Sequence, residues 1–174
     1  MMFQARFWPA GLSLLAVLAT SCVTTPDSYP VPEQHLPFRS TDTEFISAGD
    51  PFAQKFFVRD VVPSDGGGWR WTAAEPELRF VLQSTHHRKL LFEFVINERT
   101  FRDTGPVKIS FFVNKRLIGR ETYGSPGDKS FEKPVPAEWI HPNEQTLVMA
   151  RIENPWHTPQ GDLGILIKRA GFVQ

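Results

Sequence analysis

Hydrophobic positions fall in two regimes along this chain. Before residue 50 they form one block, Phe7 to Ala19, and then thin out among prolines and polar residues. From Asp50 onward they come in short runs separated by turn residues, and the runs alternate. Leu90, Phe92, Phe94 and Ile96 share one face, with Glu93 on the other. Val107, Ile109, Phe111 and Val113 repeat the pattern, with Lys108 and Ser110 opposite. A period of two is the signature of a half-buried strand. It predicts strands near 54–61, 69–72, 78–83, 89–96, 106–113, 116–123, 129–133, 146–153 and 163–170. Breakers punctuate them: Asp65-Gly66-Gly67-Gly68, Asp103-Thr104-Gly105-Pro106, Ser125-Pro126-Gly127-Asp128 and Gln160-Gly161-Asp162. Asn114-Lys115 gives a hairpin interval. No stretch keeps a 3.6-residue period beyond one turn, though Pro136-Ala137-Glu138-Trp139 reads as a short helical turn. Many short strands at this spacing predict an all-β fold, an antiparallel β-sandwich or barrel.

Composition narrows the class. The 174 residues are 41% hydrophobic and 22% charged, with Lys+Arg 19 against Asp+Glu 19. That is ordinary globular usage, which excludes a disordered, collagen-like or multi-span membrane chain. Balanced charge removes the basic excess that a nucleic-acid partner requires. Of the fifteen Phe and five Trp, eleven Phe and four Trp fall in residues 50–174 and supply core volume for one domain there. A domain of that size needs no disulfide to bury a core.

The first block reads as an address. Residues 1–21 hold one base, Arg6, and no acid, and the apolar run is too brief to span about 30 Å of hydrocarbon. It ends in Ala19-Thr20-Ser21-Cys22, small residues ahead of the chain's only cysteine. This segment resembles a bacterial lipoprotein signal peptide with its lipobox. The resemblance implies lipidation of Cys22 and, with Val23 rather than Asp following, an outer-membrane anchor facing the periplasm. The alternative is an ordinary secretory signal ahead of a free thiol. A lone cysteine excludes an internal disulfide and leaves a thiol catalyst or Cys-based zinc site no other candidate. Residues 22–49, with Pro26, Pro30, Pro32 and Pro37, read as a semi-rigid tether. Phe38 or Phe45-Ile46 within it is the candidate edge segment of the sheet.

Three stretches carry a second resemblance. They are Gly68-Trp69-Arg70-Trp71-Thr72 with Leu78-Arg79-Phe80; Val107 to Asn114 leading to Leu117-Ile118-Gly119; and Glu153-Asn154-Pro155-Trp156 with Gly161 to Ile167. Their order resembles the galactose-binding-like jelly-roll modules found beside bacterial glycosyltransferases and glycosidases. The resemblance implies a jelly-roll sandwich. Sugar binding does not follow from it, because function lies in the site.

Candidate chemistry is therefore weighed from the residues. Trp69 and Trp71 flank Arg70, and an extended chain puts both indoles on one face and Arg70 on the other. Trp156 and His157 lie in the proline-flanked loop Asn154-Pro155-Trp156-His157-Thr158-Pro159. Stacking on Trp69, Trp71 or Trp156, with Arg70, Asn154 and His157 as polar partners, is how such residues hold a sugar. The opposing reading places the tryptophans in the core. His86-His87 with Arg88-Lys89 reads as a solvated hairpin tip, since adjacent histidines on a strand face opposite ways. No HExxH or Cys/His spacing supports a catalytic or transition metal. Asp60 and Asp65 are weak candidates for a structural Ca²⁺. No Gly-x-Ser-x-Gly, Gly-x-Gly-x-x-Gly or Walker lysine occurs. Glu75 with Glu77, or Glu93 with Glu98, as glycosidase pairs is no more than chance gives in a chain with 19 acids. The expectation is a non-enzymatic, cofactor-free envelope lipoprotein whose sandwich binds glycan. The alternative is an assembly lipoprotein that binds another envelope protein, with no carbohydrate ligand.

Overall fold

The computed structural model describes residues 44–63 and 67–174. The expected signal segment, Cys22, the tether up to residue 43, and Asp65 lie outside the described residues.

The chain runs β1 (Phe45–Ser47), β2 (Phe57–Val61), β3 (Arg70–Val81), β4 (Lys89–Ile96), α1 (Glu98–Thr104), β5 (Val107–Val113) and β6 (Arg116–Tyr123). It continues with β7 (Gly127–Pro134), β8 (Gln145–Ile152), β9 (Trp156–Thr158), β10 (Gly161–Leu163) and β11 (Leu166–Val173). Short 3-10 turns occupy Ala53–Lys55 and Ala137–Trp139. Nine strands join in the order β6-β5-β8-β3-β11-β4-β7, with β1 added to β11 and β2 to β3. Every pairing is antiparallel. Non-consecutive partners, β4 with β7 and β5 with β8, wind the chain around itself into a jelly-roll sandwich. The all-β fold class expected from the alternation is the one found.

β3 is the corner of the sandwich. Its first residues, Arg70 and Trp71, pair with Ile167 and Leu166 of β11. Its last five, Glu77 to Val81, pair with Met149 to Gln145 of β8. Buried Pro76 stands between the two halves. Proline cannot donate to a ladder, so a strand bends or bulges where it sits. The runs 69–72 and 78–83, read separately from the sequence, are thus one bent strand.

The alternating faces meet in the core. Leu90, Phe92, Phe94, Ile109, Phe111 and Val113 are fully buried. Phe111 stacks on Phe131 with centroids 3.9 Å apart, and Phe92 and Phe94 pack around it. Each buried phenylalanine contributes roughly 1.5–3 kcal/mol of hydrophobic stabilisation.

Three features depart from the alternation reading. Phe45–Ser47 forms β1 on β11, so the edge segment weighed within the tether belongs to the sheet and the strands begin before residue 50. Residues 98–104 form a helix where none was expected. Arg88, expected at a solvated tip, is buried: its Nη2 meets the Glu44 carboxylate at 3.0 Å, and its Nε donates to Ser84 O. His86 and His87 beside it are exposed as expected. Asp60, weighed for calcium, instead accepts the Glu75 backbone N–H at 3.0 Å. Among the described residues no three His, Cys, Asp or Glu side chains group as metal ligands.

Candidate functional site

The site is built from α1 and the β9–β10 hairpin against β3. α1 forms because its ends are capped. The Asn97 side chain accepts from the N–H groups of Arg99 and Thr100, and Gly105, at φ +74°, closes the last turn with an N–H to Phe101 O. The hairpin forms because Thr158 donates its hydroxyl to Gly161 O at 2.6 Å and accepts from Gln160 N. Gly161 supplies φ +128° at the turn. The hairpin is then seated on β3. Gly164 N donates to Thr72 O, and Ile165 N donates to the Thr72 hydroxyl. A Cβ on Gly164 would lie 2.5 Å from Ala73 O, so only glycine permits this approach.

These elements enclose an open groove of about 750 Å³, lined on the hairpin side by Trp156 to Leu163 and on the other by Arg99, Val62 and Ala73. The guanidinium of Arg99 stands 5.3 Å from the Trp156 ring centre, a cation–π distance. His157 and Asp162 are directly opposite across the hairpin, and Nδ1 of His157 meets Asp162 Oδ1 at 2.6 Å. Both are exposed, 79% and 41%, so the pair orients the imidazole more than it stabilises the fold. The groove thus offers an aromatic surface and a guanidinium, while the histidine–carboxylate pair takes the other face of the hairpin strands from Trp156 and Leu163. Such an arrangement holds a ligand that has apolar faces and hydroxyl edges.

The residues singled out from the sequence separate into groups. Trp156 and His157 line the groove, although Trp156–Thr158 is strand β9 rather than a loop. Trp71 does not line it, but it shares the outer face of β3 with Ala73, which does. Trp69 is 37% exposed just before that strand. Asn154 is exposed and outside the groove lining. Arg70, expected as a polar partner of a ligand, is 6% exposed and turned to the opposite face. Its Nε donates to Ala48 O at 2.9 Å, and its guanidinium lies 5.4 Å from the Phe57 ring centre. Two groove groups were not singled out as ligand contacts: Arg99 and Asp162. Arg99 was legible only through its helix, whose Asn97 cap and Gly105-Pro106 stop are both present in the sequence.

No family model matches the chain, and no curated relative does. Solved structures do. The chain is similar to carbohydrate-binding modules. One is CBM35 from Paenibacillus barcinonensis, at 14% identity and TM-score 0.43, over 75% of this chain and 98% of that one. A second is Xyl-CBM35 in complex with a glucuronic acid containing disaccharide, at 13% identity and TM-score 0.46, over 75% and 93%. A third is a family 35 carbohydrate binding module from Clostridium thermocellum, at 10% identity and TM-score 0.44, over 70% and 94%.

Proposed function

We propose that the domain binds a glycan in the groove beside Trp156, without catalysing a reaction on it. The observation that carries the reading is the half-buried Trp156 ring at the groove, with the Arg99 guanidinium 5.3 Å from its centre. An indole offers an apolar face to the C–H side of a pyranose, and the flanking polar groups meet its hydroxyls. The groove lining holds one carboxylate, Asp162, which is engaged with His157, so the pairing suits recognition better than acid–base work on a glycosidic bond.

The anchor belongs to the same proposal. The segment ending in Ala19-Thr20-Ser21-Cys22 supports lipidation of Cys22, and Val23 supports an outer-membrane destination facing the periplasm. Several acyl chains hold a protein firmly, so the domain works as a tethered glycan receptor.

Intrinsic tryptophan fluorescence of the purified full chain, titrated with envelope glycans and peptidoglycan fragments, tests the groove. The expected result is a saturable shift that disappears in Trp156→Ala. No response across the panel overturns glycan binding and favours the assembly reading, in which the ligand is another envelope protein. Palmitate labelling tests the anchor. Label is expected in the wild-type chain and absent in Cys22→Ala. A wild-type chain that is processed, soluble and unlabelled defeats the lipoprotein assignment.

A further inference from the structure

The chain enters the sandwich at a fixed point. The Glu44 carboxylate accepts from Gln83 N at 2.9 Å and from the buried Arg88 at 3.0 Å, and Glu44 O accepts from Phe172 N at 2.7 Å. The residues that follow, Phe45 and Ile46, line an apolar cavity of about 230 Å³ together with Asp50, Phe52 and Phe56. Asp50 Oδ1 accepts the Phe52 N–H at 2.7 Å, so this acid is engaged in the turn that presents Phe52. Phe52 is 56% exposed, more than any other large apolar side chain among the described residues. The Lys55 ammonium stands 5.0 Å from its ring centre. We infer that this corner is a lipid-docking surface: Phe52 enters the bilayer interface, and Lys55 meets the lipid phosphates. The inference rests on the lipidation of Cys22 proposed above.

An exposed aromatic ring with a lysine beside it suits the membrane–water boundary. The ring sits at headgroup level while the ammonium stays among phosphates. The covalent connection decides the partner. Glu44 follows Cys22 by 22 positions, and a fully extended chain of that length reaches at most about 75 Å. A lipidated Cys22 therefore keeps the corner close to one bilayer and makes the contact intramolecular. A patch too small to bind lipid from solution is then sufficient. The groove lies at the other end of the strands. Phe45 pairs with Gly171, whereas the groove hairpin leads into β11 at Leu166, five residues or about 17 Å along the strand. α1 likewise follows β4 at Ile96, the end away from Lys89, which pairs with Val173. Docking through Phe52 leaves the groove open.

The test uses the full lipidated chain in vesicles of phosphatidylethanolamine and phosphatidylglycerol. Gln54→Cys places a thiol on the exposed turn between Phe52 and Lys55. A polarity-sensitive dye on that thiol is expected to shift to the blue in vesicles and to be quenched by nitroxide-headgroup lipids. Both signals should vanish in Phe52→Ser and weaken in Lys55→Glu. Phe52→Trp, which keeps an aromatic ring, should retain them and controls for misfolding. The same dye on Ser125→Cys, in the turn between β6 and β7, should report water. An unshifted dye at position 54, equal signals at positions 54 and 125, or a shift that survives Phe52→Ser overturns the docking surface and leaves the anchor standing. Lipidation turns the Cys22 thiol into a thioether. Dye uptake by the parent chain therefore overturns the anchor, and the docking inference with it.

Discussion

Two of the arginines that stand beside tryptophans in this protein, Arg70 and Arg99, do opposite things. Arg70 lies between Trp69 and Trp71 in sequence, yet its guanidinium points inward, bonded to Ala48 O and packed on Phe57. Arg99 is 57 positions away from Trp156 in the numbering, yet its guanidinium stands over that ring in an open groove. Sequence adjacency on a strand separates side chains, because successive residues take opposite faces. A helix and a hairpin from distant parts of the chain bring side chains together. The pair adjacent in the sequence is therefore parted by its strand, and the pair that meets at the candidate groove spans two elements.

The comparison can be broken most forcefully at Arg70. Arg70→Ala leaves the carbonyl of fully buried Ala48 without its donor and removes the side-chain stem packed on Phe57. The expected cost is about 3 kcal/mol of stability, or roughly 10 °C in Tm for a domain of this size. Ligand affinity measured well below the new Tm should stay within twofold. Calorimetric melting and titration on the same sample check both. A stable variant that loses affinity would place Arg70 in the site after all.

Gly164→Ala couples the two regions. The new methyl meets Ala73 O, a backbone atom that gives way only by parting the hairpin from β3. Overpacking of this kind costs about 2 kcal/mol. Affinity should fall as well, because Trp156 and His157 ride on the displaced hairpin. Denaturant unfolding followed by titration reads the two effects separately.

Arg99→Ala is the converse of Arg70→Ala. Arg99 is exposed, and its cation–π contact with Trp156 contributes about 0.5–1 kcal/mol to stability, well short of the Arg70 effect. Its loss from a cation–π and hydrogen-bonding position should cost about 1.4 kcal/mol of binding, a tenfold fall in affinity. An unchanged affinity would detach α1 from the site.

What the sequence disclosed follows from the same physics. Strands β4, β5 and β8 were legible because a period-two pattern with one buried face has a single reading, and turn residues bound each run. β3 was split because Pro76 and the acids around it break the apolar alternation at the corner where the strand changes sheets. α1 was missed because seven residues are too few for a 3.6-residue period to declare itself, although Asn97 and Gly105 mark its ends. Trp156 and His157 stand out in the sequence because an aromatic between two prolines, far from the alternating runs, has no evident place in the core. Arg99 and Asp162 reach them only through folding: one by the docking of α1, the other by the hairpin register that sets Asp162 opposite His157.

The smallest effect belongs to a third kind of arginine, paired with carboxylates on the outer faces of the sheets. The hydrogen bond from Arg151 holds the Glu75 carboxyl below its ordinary range, and the bond from Arg169 does the same for Glu93. A folded-state pKa below the unfolded value means that the ionised form stabilises the fold. That contribution is fully present above about pH 5 and is lost as pH falls through the folded values. The side chains are partly solvated, so each pair is worth only about 0.2–1 kcal/mol. Melting temperatures of the wild type and of a Glu75→Gln, Glu93→Gln double variant should differ by a few degrees at pH 7 and converge as pH falls through the folded-state values. If the gap persists undiminished into acid, it does not arise from these ion pairs. Surface arginines would then matter here by laying their guanidinium groups over aromatic rings, as Arg151 does 5.2 Å from the Phe112 ring centre.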